Sequence, residues 1–279
     1  MVSCRSKANL TLIYLCLEFC INVKRSQPEI LPYSKRDDRT FPTGTSDRSD
    51  MNAIATFVPD TLWFVEYPLN TYGLEVGTRM TICRLSSGAL WVHSPIKPDQ
   101  SLCQQIDSLG RVRFVIAPNR QHHFFIRDFM EAYPNARLFG SPDLPKKYPD
   151  LSFDGVLGDT PEPEWRDDID QVPIRGNFFH DEVAFFHRDS HTLIVADLCM
   201  SGHPEQPFLT RLVWWLAGIY QKPGPSIDVK LAYWDKSAAR ASLTKVMEWD
   251  FDKMILAHGH LIDSNAKDVF YRAYRFLLG

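Results

Sequence analysis

The sequence contains no C-x-x-C pair, and its six cysteines (Cys4, Cys16, Cys20, Cys83, Cys103 and Cys199) follow no regular spacing. That argues against a disulfide framework and against a cysteine-based zinc site, leaving buried free thiols as the expectation. Neither G-x-x-x-x-G-K nor G-x-G-x-x-G occurs, which removes the phosphate cradles of nucleotide-binding folds. The nucleophile elbow G-x-S-x-G is missing as well. No charge of one sign dominates: 31 Lys and Arg stand against 34 Asp and Glu, for a net charge of −3. With no basic stripe interleaved with aromatics, no nucleic-acid partner is expected. The longest apolar run, Leu10–Val23, is broken by Glu18 and falls short of the roughly 20 residues a spanning helix needs, so no stable transmembrane span is expected.

What the chain does have is a folded protein's composition. Hydrophobic residues make up 44% and charged residues 23%, and seven Trp, ten Tyr and eighteen Phe can fill a sizeable core. Arg5 and Lys7 before the Leu10–Val23 run give a signal-like outline. However, Glu18 opposes insertion, and Lys24-Arg25 follow where a small-x-small cleavage site would stand. Residues 24–52 are polar with alternating charges, the composition of a disordered linker. The expected organisation is an N-terminal tail over residues 1–55 and one domain over 56–279, which a product starting at Met51 would retain. The expected location is cytoplasmic, or organellar or secreted if residues 1–25 act as a targeting signal.

From Ala55 onward, short apolar runs alternate with helical periodicity. Leu62–Tyr67 reads as a strand, and Met80–Leu85 and Ala89–His93 as a hairpin. A helix ending at Gly110, a strand at Arg113–Ala117, a second helix carrying Phe125 and Phe129, and a strand at Arg137–Gly140 follow. The second half has a hairpin of Glu182–His187 with Thr192–Ala196, a helix at Ser237–Trp249, a strand at Lys253–Ala257 and a last helix with Ala266, Val269, Phe270, Ala273 and Phe276 on one face. Hairpins mixed with strand–helix units indicate an α/β protein with mixed sheets. Phe208–Ile219 predicts an apolar helix packed on the core, or a lid or dimer contact. His187, His191 and His203 are expected to face solvent; His180 is left open.

Metal-capable side chains collect after three strands: His122 and His123 after the first, Asp197 after the second, His258 and His260 after the third. Sites in α/β folds gather at strand ends because the loops there share a rim. Imidazoles with a carboxylate suit Zn, Fe or Mn better than Ca or Mg. The bland alternative is that these groups satisfy backbone atoms where strands turn into loops.

The stretches Val115–His123, Ser190–Leu198 and Ile255–Gly259 carry a resemblance. Residues 56–279 resemble the metallo-β-lactamase-like hydrolases, most closely the divergent branch labelled domain of unknown function 4336. The resemblance implies a four-layer αββα sandwich of the metallo-hydrolase/oxidoreductase type. The superfamily's H-x-H-x-D-H motif is altered here. With its last His at His123, Pro118 and Arg120 take the first two His positions and His122 that of the Asp. With its last His at His122, Asn119 takes the second His position and Gln121 that of the Asp. A further ligand, a His after Gly, aligns with Asn177 after Gly176. The resemblance therefore implies loss of one metal site and retention of a second, drawn from His122, His123, Asp197 and His258, with Asn119 either supporting the ligands or contacting substrate. One Zn or Fe ion, or none, would sit there, with Asp197 and His122 as the catalytic candidates and a small molecule as substrate or ligand. The implied function is a metal-dependent hydrolase of unknown substrate. The alternative is a catalytically silent protein that binds a ligand or partner in the same cleft, with Trp214 and Trp215 nearby. A homodimer fits either reading.

Overall fold

Alternating side chains along each strand face two different apolar layers, and that alternation builds the fold. A computed structural model describes residues 53–279 apart from 72, 179 and 180. The signal-like run, the polar stretch that follows it and His180 lie outside the described residues. The first half runs β1 (Ala55–Val58), β2 (Leu62–Tyr67), β3 (Asn70–Thr71), β4 (Leu74–Glu75), β5 (Thr78–Arg84), β6 (Ala89–His93), α1 (Gln100–Leu109), β7 (Arg111–Ala117), α2 (Ile126–Ala132), β8 (Arg137–Gly140), α3 (Leu144–Lys147) and β9 (Gly155–Val156). The second runs β10 (Ile169–Pro173), β11 (Val183–His187), β12 (Thr192–Ile194), α4 (Phe208–Leu216), α5 (Ile227–Leu231), α6 (Lys236–Glu248), β13 (Lys253–Ile255) and α7 (Ala266–Leu278).

Seven strands form one sheet in the order β1-β2-β5-β6-β7-β8-β9, and four form another in the order β10-β11-β12-β13. The first sheet changes from antiparallel to parallel at β6, and the second does so at β12. On β6, Leu90 and Val92 face a layer shared with Leu102 and Ile106 of α1 and Ile126 and Phe129 of α2. Trp91, one residue out of phase, faces the space between the sheets with Phe114, Phe139, Phe185, Ile194 and Ile255. On β12 and β13, Leu193 and Met254 face the opposite way, toward Leu243 of α6 and Phe270 of α7. Three apolar layers thus separate helix, sheet, sheet and helix, which is the αββα sandwich. Because β5, β6, β7 and β11 are covered on both faces, they read in sequence as nearly continuous apolar runs.

Local chemistry marks the helix ends. The Asp99 carboxylate accepts from the Leu102 N–H at 2.8 Å to start α1, and Asp235 accepts from the Ser237 and Ala238 N–H groups at 3.1 and 3.0 Å to start α6.

Three expectations are corrected. His187, read as solvent-facing, is buried on β11, where its Nδ1 pairs with Ser190 Oγ at 2.8 Å. A strand covered on both faces buries even its hairpin-proximal residue. Of the readings of α4, packing on the core is the one corrected: Phe208 is 72% and Trp215 66% exposed, while Trp214 turns inward onto Gly202. On α7 the buried positions are Ala266, Phe270, Tyr274 and Leu277, and Phe276 lies outside that face at 44% exposure. His191 is exposed as expected, and His203 is half-buried.

Trp165 fills the layer between the sheets, edge-on to Phe114 and Phe139 at ring separations of 5.0 and 4.8 Å. Trp165→Ala is expected to remove about 3–5 kcal/mol of stability, whereas Phe208→Ala on the exposed face of α4 should stay within about 0.5 kcal/mol. Denaturant unfolding of the two variants side by side checks the contrast.

Candidate metal centre

The parallel strands β6, β7, β12 and β13 end on one rim, and each hands a polar group to it. After β7 the chain turns at Asn119, whose side-chain Oδ1 accepts from the Gln121 and His122 N–H groups, both at 2.9 Å. This Asx turn aims the His122 ring inward. The Asn119 amide nitrogen donates to Glu182 Oε2 and to Asp197 Oδ2, each at 2.8 Å. Asp197 follows β12, its backbone held where the Ala196, Asp197 and Leu198 N–H groups donate to the Glu182 carboxylate at 2.7, 2.7 and 3.1 Å. His258 follows β13, and its Nδ1 donates to the Gly77 carbonyl at 2.6 Å. His122 Nδ1 pairs with Ser94 Oγ, beyond the end of β6.

Each of the three side chains has one polar atom engaged by a neighbour, and the other points to a common centre. His122 Nε2 lies 3.4 Å and His258 Nε2 3.3 Å from Asp197 Oδ1, with all three side chains at most 11% exposed. The three ligand atoms lie within 4.8 Å of one another. Charge-assisted N–H···O contacts run shorter, at about 2.7–2.9 Å. Neighbouring ligands of a tetrahedral zinc with ~2.0–2.1 Å bonds stand ~3.3 Å apart. The proton inventory agrees. A carbonyl can only accept, so His258 Nδ1 carries a proton, and Nε2 is the ring atom turned toward the Asp197 carboxylate. A proton or a cation between Nε2 and Oδ1 satisfies both atoms. The donor set fits a borderline divalent ion.

Electrostatics sharpen the centre. Burial pushes the Asp197 carboxyl up, but the two imidazoles beside it prevail and hold it well below the usual carboxylate range. Burial and the Asp197 charge push Glu182 the other way, up to about 7, against the donors it collects. His93, which ends β6, is brought down to about 3 by burial and then by His122, so it is a neutral ring between Trp91 and Phe185.

Residues 59–215, more than half of the chain, match the family model described as Domain of unknown function (DUF4336). The chain belongs to that family. No curated protein matches the DUF4336 chain by sequence. Its fold is that of the metallo-β-lactamases. A metallo-β-lactamase from Pontibacter korlensis is similar with a TM-score of 0.57 and 8% identity, covering 81% of this chain and 98% of its own. The DIM-1 metallo-β-lactamase has a TM-score of 0.57 at 11% identity, over 82% and 99% of the two chains. FIM-1 from Pseudomonas aeruginosa, in its mono-zinc form, gives 0.55 at 10%, over 83% and 100%.

Of the four ligands expected for the DUF4336 chain, the structure brings together His122, Asp197 and His258. His123 is placed elsewhere, which corrects the four-ligand set. Its ring stacks on Tyr148 at 4.0 Å and leans on Phe124. The Asn119 turn directs His122 inward and leaves the next side chain facing the end of α3. Burial and then the Lys147 charge lower His123 to about 4, a ring held neutral by its surroundings. Asn177 donates to the Val229 carbonyl at 3.0 Å, and the Arg120 guanidinium reaches Asp181 at 3.3 Å and the Phe178 carbonyl at 2.8 Å. Asn119 lies beside Asp197, to which its amide nitrogen donates.

Sequence reasoning missed Glu182, Ser94 and His93. His93 and Ser94 stand at a strand end on the same rim, so the rule that found His122 would have found them if applied to β6. Glu182 precedes its strand, and nothing local marks it. Glu182→Gln would aim an N–H₂ group at backbone donors inside the protein. It is expected to cost about 1–3 kcal/mol or more, read as a lower unfolding midpoint, while Glu205→Gln at the surface should leave the midpoint in place.

Proposed function

We propose that the protein is a metal-dependent hydrolase working with a single Zn or Fe ion held by His122, Asp197 and His258. The observation that carries this reading is the convergence of three buried ligand atoms, each on a side chain whose other polar atom is already engaged. Such supporting contacts fix ring tautomers and raise ligand basicity in metal sites. The similarity to FIM-1 in a mono-zinc form is consistent with one ion on this fold. When bound, the ion would lower the pKa of a coordinated water and polarise a carbonyl or phosphoryl oxygen. The chain's own groups supply orientation. Asn119 holds the Asp197 rotamer, Ser94 and the Gly77 carbonyl hold the two rings, and Glu182 holds the backbone of residues 196–198. With donors on both of its oxygens, Glu182 serves as a positioning residue. Asp197 and His122 are the groups proposed to touch the reacting atoms of a small-molecule substrate. Residues 56–279 are proposed as the working domain, with 1–55 appended to it.

A second reading has its own support. Asn119, at the second His position when His122 ends the motif, and Asn177, aligned with the later His, are engaged by protein groups. A protein that kept the fold and half the ligands could bind a ligand or partner without turning it over.

Metal analysis separates the two. Full-length protein reconstituted with Zn²⁺ is expected to hold an ion whose affinity falls about tenfold or more in His258→Ala and in Asp197→Ala, while His123→Ala retains it. Equal zinc retention by all three variants would sink the metal reading. Zinc bound at His258 and Asp197 with no hydrolysis across an ester, thioester and phosphodiester panel would favour the silent one.

A further inference from the structure

A second group of metal-capable side chains stands outside the centre already described. His203, Glu205 and His260 offer two ring nitrogens and a carboxylate oxygen within 4.8 Å of one another. We propose that these three side chains form an outer divalent-cation site, for an ion of the zinc, copper or nickel class, on the surface beside the inner centre.

Its framework is built by the backbone. The Ser201 N–H donates to the His258 carbonyl at 3.1 Å, which locks the segment after β12 onto the loop after β13. Gly259 has φ +103°, and a Cβ there would stand 2.2 Å from the Ser201 carbonyl oxygen, so only glycine allows this approach. His258 and His260 flank that glycine: the first reaches Asp197, the second Glu205. The turn bearing the other two ligands is closed by the His203 N–H donating to Gln206 Oε1 at 3.0 Å, and Gln206 is itself buried. His203 and His260 then face each other with ring centres 4.9 Å apart.

Glu205 Oε2 lies 2.9 Å from His203 Nδ1 and 3.5 Å from His260 Nε2. These separations bracket the ~3.3 Å edge of a tetrahedral ion with ~2.0–2.1 Å bonds. A hydrogen bond accounts for the first contact and leaves the second too long for one. Two imidazoles with one carboxylate select borderline transition ions over Mg²⁺ or Ca²⁺. Three ligands leave a coordination position open to solvent. An ion here would join the loops that carry Asp197 and His258, making its binding a clamp on the inner rim.

The test is calorimetric titration of the full chain with Zn²⁺, beside thermal melts with and without the ion. The variants are His260→Gln, His203→Ala and Asp197→Asn. The expected result is a zinc-binding event that persists in Asp197→Asn, weakens about tenfold or more in both outer variants, and raises the melting temperature of Asp197→Asn, a rise that is lost in the double variant Asp197→Asn/His260→Gln. His260→Gln keeps a donor for Glu205, so a hydrogen-bonding role alone would leave zinc binding unchanged. Zinc binding identical in wild type, His203→Ala and His260→Gln overturns the outer site. Loss of zinc confined to Asp197→Asn leaves the inner centre standing and overturns the outer one, whereas loss confined to the outer variants does the reverse.

Discussion

The arrangement at the rim depends on one carboxylate with no access to solvent. Glu182 precedes β11, yet it accepts from three successive backbone N–H groups after β12 and from the Asn119 amide after β7. A buried carboxylate is costly unless hydrogen-bonded on both oxygens, and here each oxygen is served. The contact ties three stretches of chain, far apart in sequence, into one rigid turn. Asp197 is aimed by it twice: directly through its own N–H, and indirectly through Asn119, which holds Oδ2 and leaves Oδ1 for the centre.

His258 is held from the opposite sheet. Arg79 on β5 is buried, which lowers its pKa despite the Glu66 partner at 2.6 Å, and its guanidinium donates to the Leu256 and Gly259 carbonyls on either side of His258. A five-donor planar fork suits this task because it spans two acceptors at once. The first sheet therefore clamps the loop of the second, and the Gly77 carbonyl fixes the His258 tautomer from the same side. The two sheets are joined by apolar packing between them and by polar contacts at the rim.

Arg120 secures Asp181, which also accepts from the Arg120 N–H at 3.1 Å and from Ser141 Oγ at 2.6 Å, and Asn177 secures the α5 segment. Those contacts order loops around His122, Asp197 and His258. Exposed apolar side chains gather instead on α4, which hangs beside the rim through Trp214 on Gly202.

Period-2 and period-3.6 patterns determined most of the longer strands and helices and their order, though not β10, because burial on one side or both is written directly in side-chain polarity. Leu90, Val92, Ala239 and Leu243 are inside as their spacing requires. Strand-end logic also located His122, Asp197 and His258, since a polar side chain after an apolar strand has little else to do than face the rim. Three things were decided only by tertiary structure. Which of His122 and His123 turns inward depends on the Asn119 side chain closing a turn, not on composition. His187 and α4 exchanged their expected environments because burial of a hairpin end or a helix face depends on what the rest of the chain packs over it. Glu182 was invisible because its role rests on partners 14 to 16 and 63 residues away, and only a folded chain brings those donors to one carboxylate.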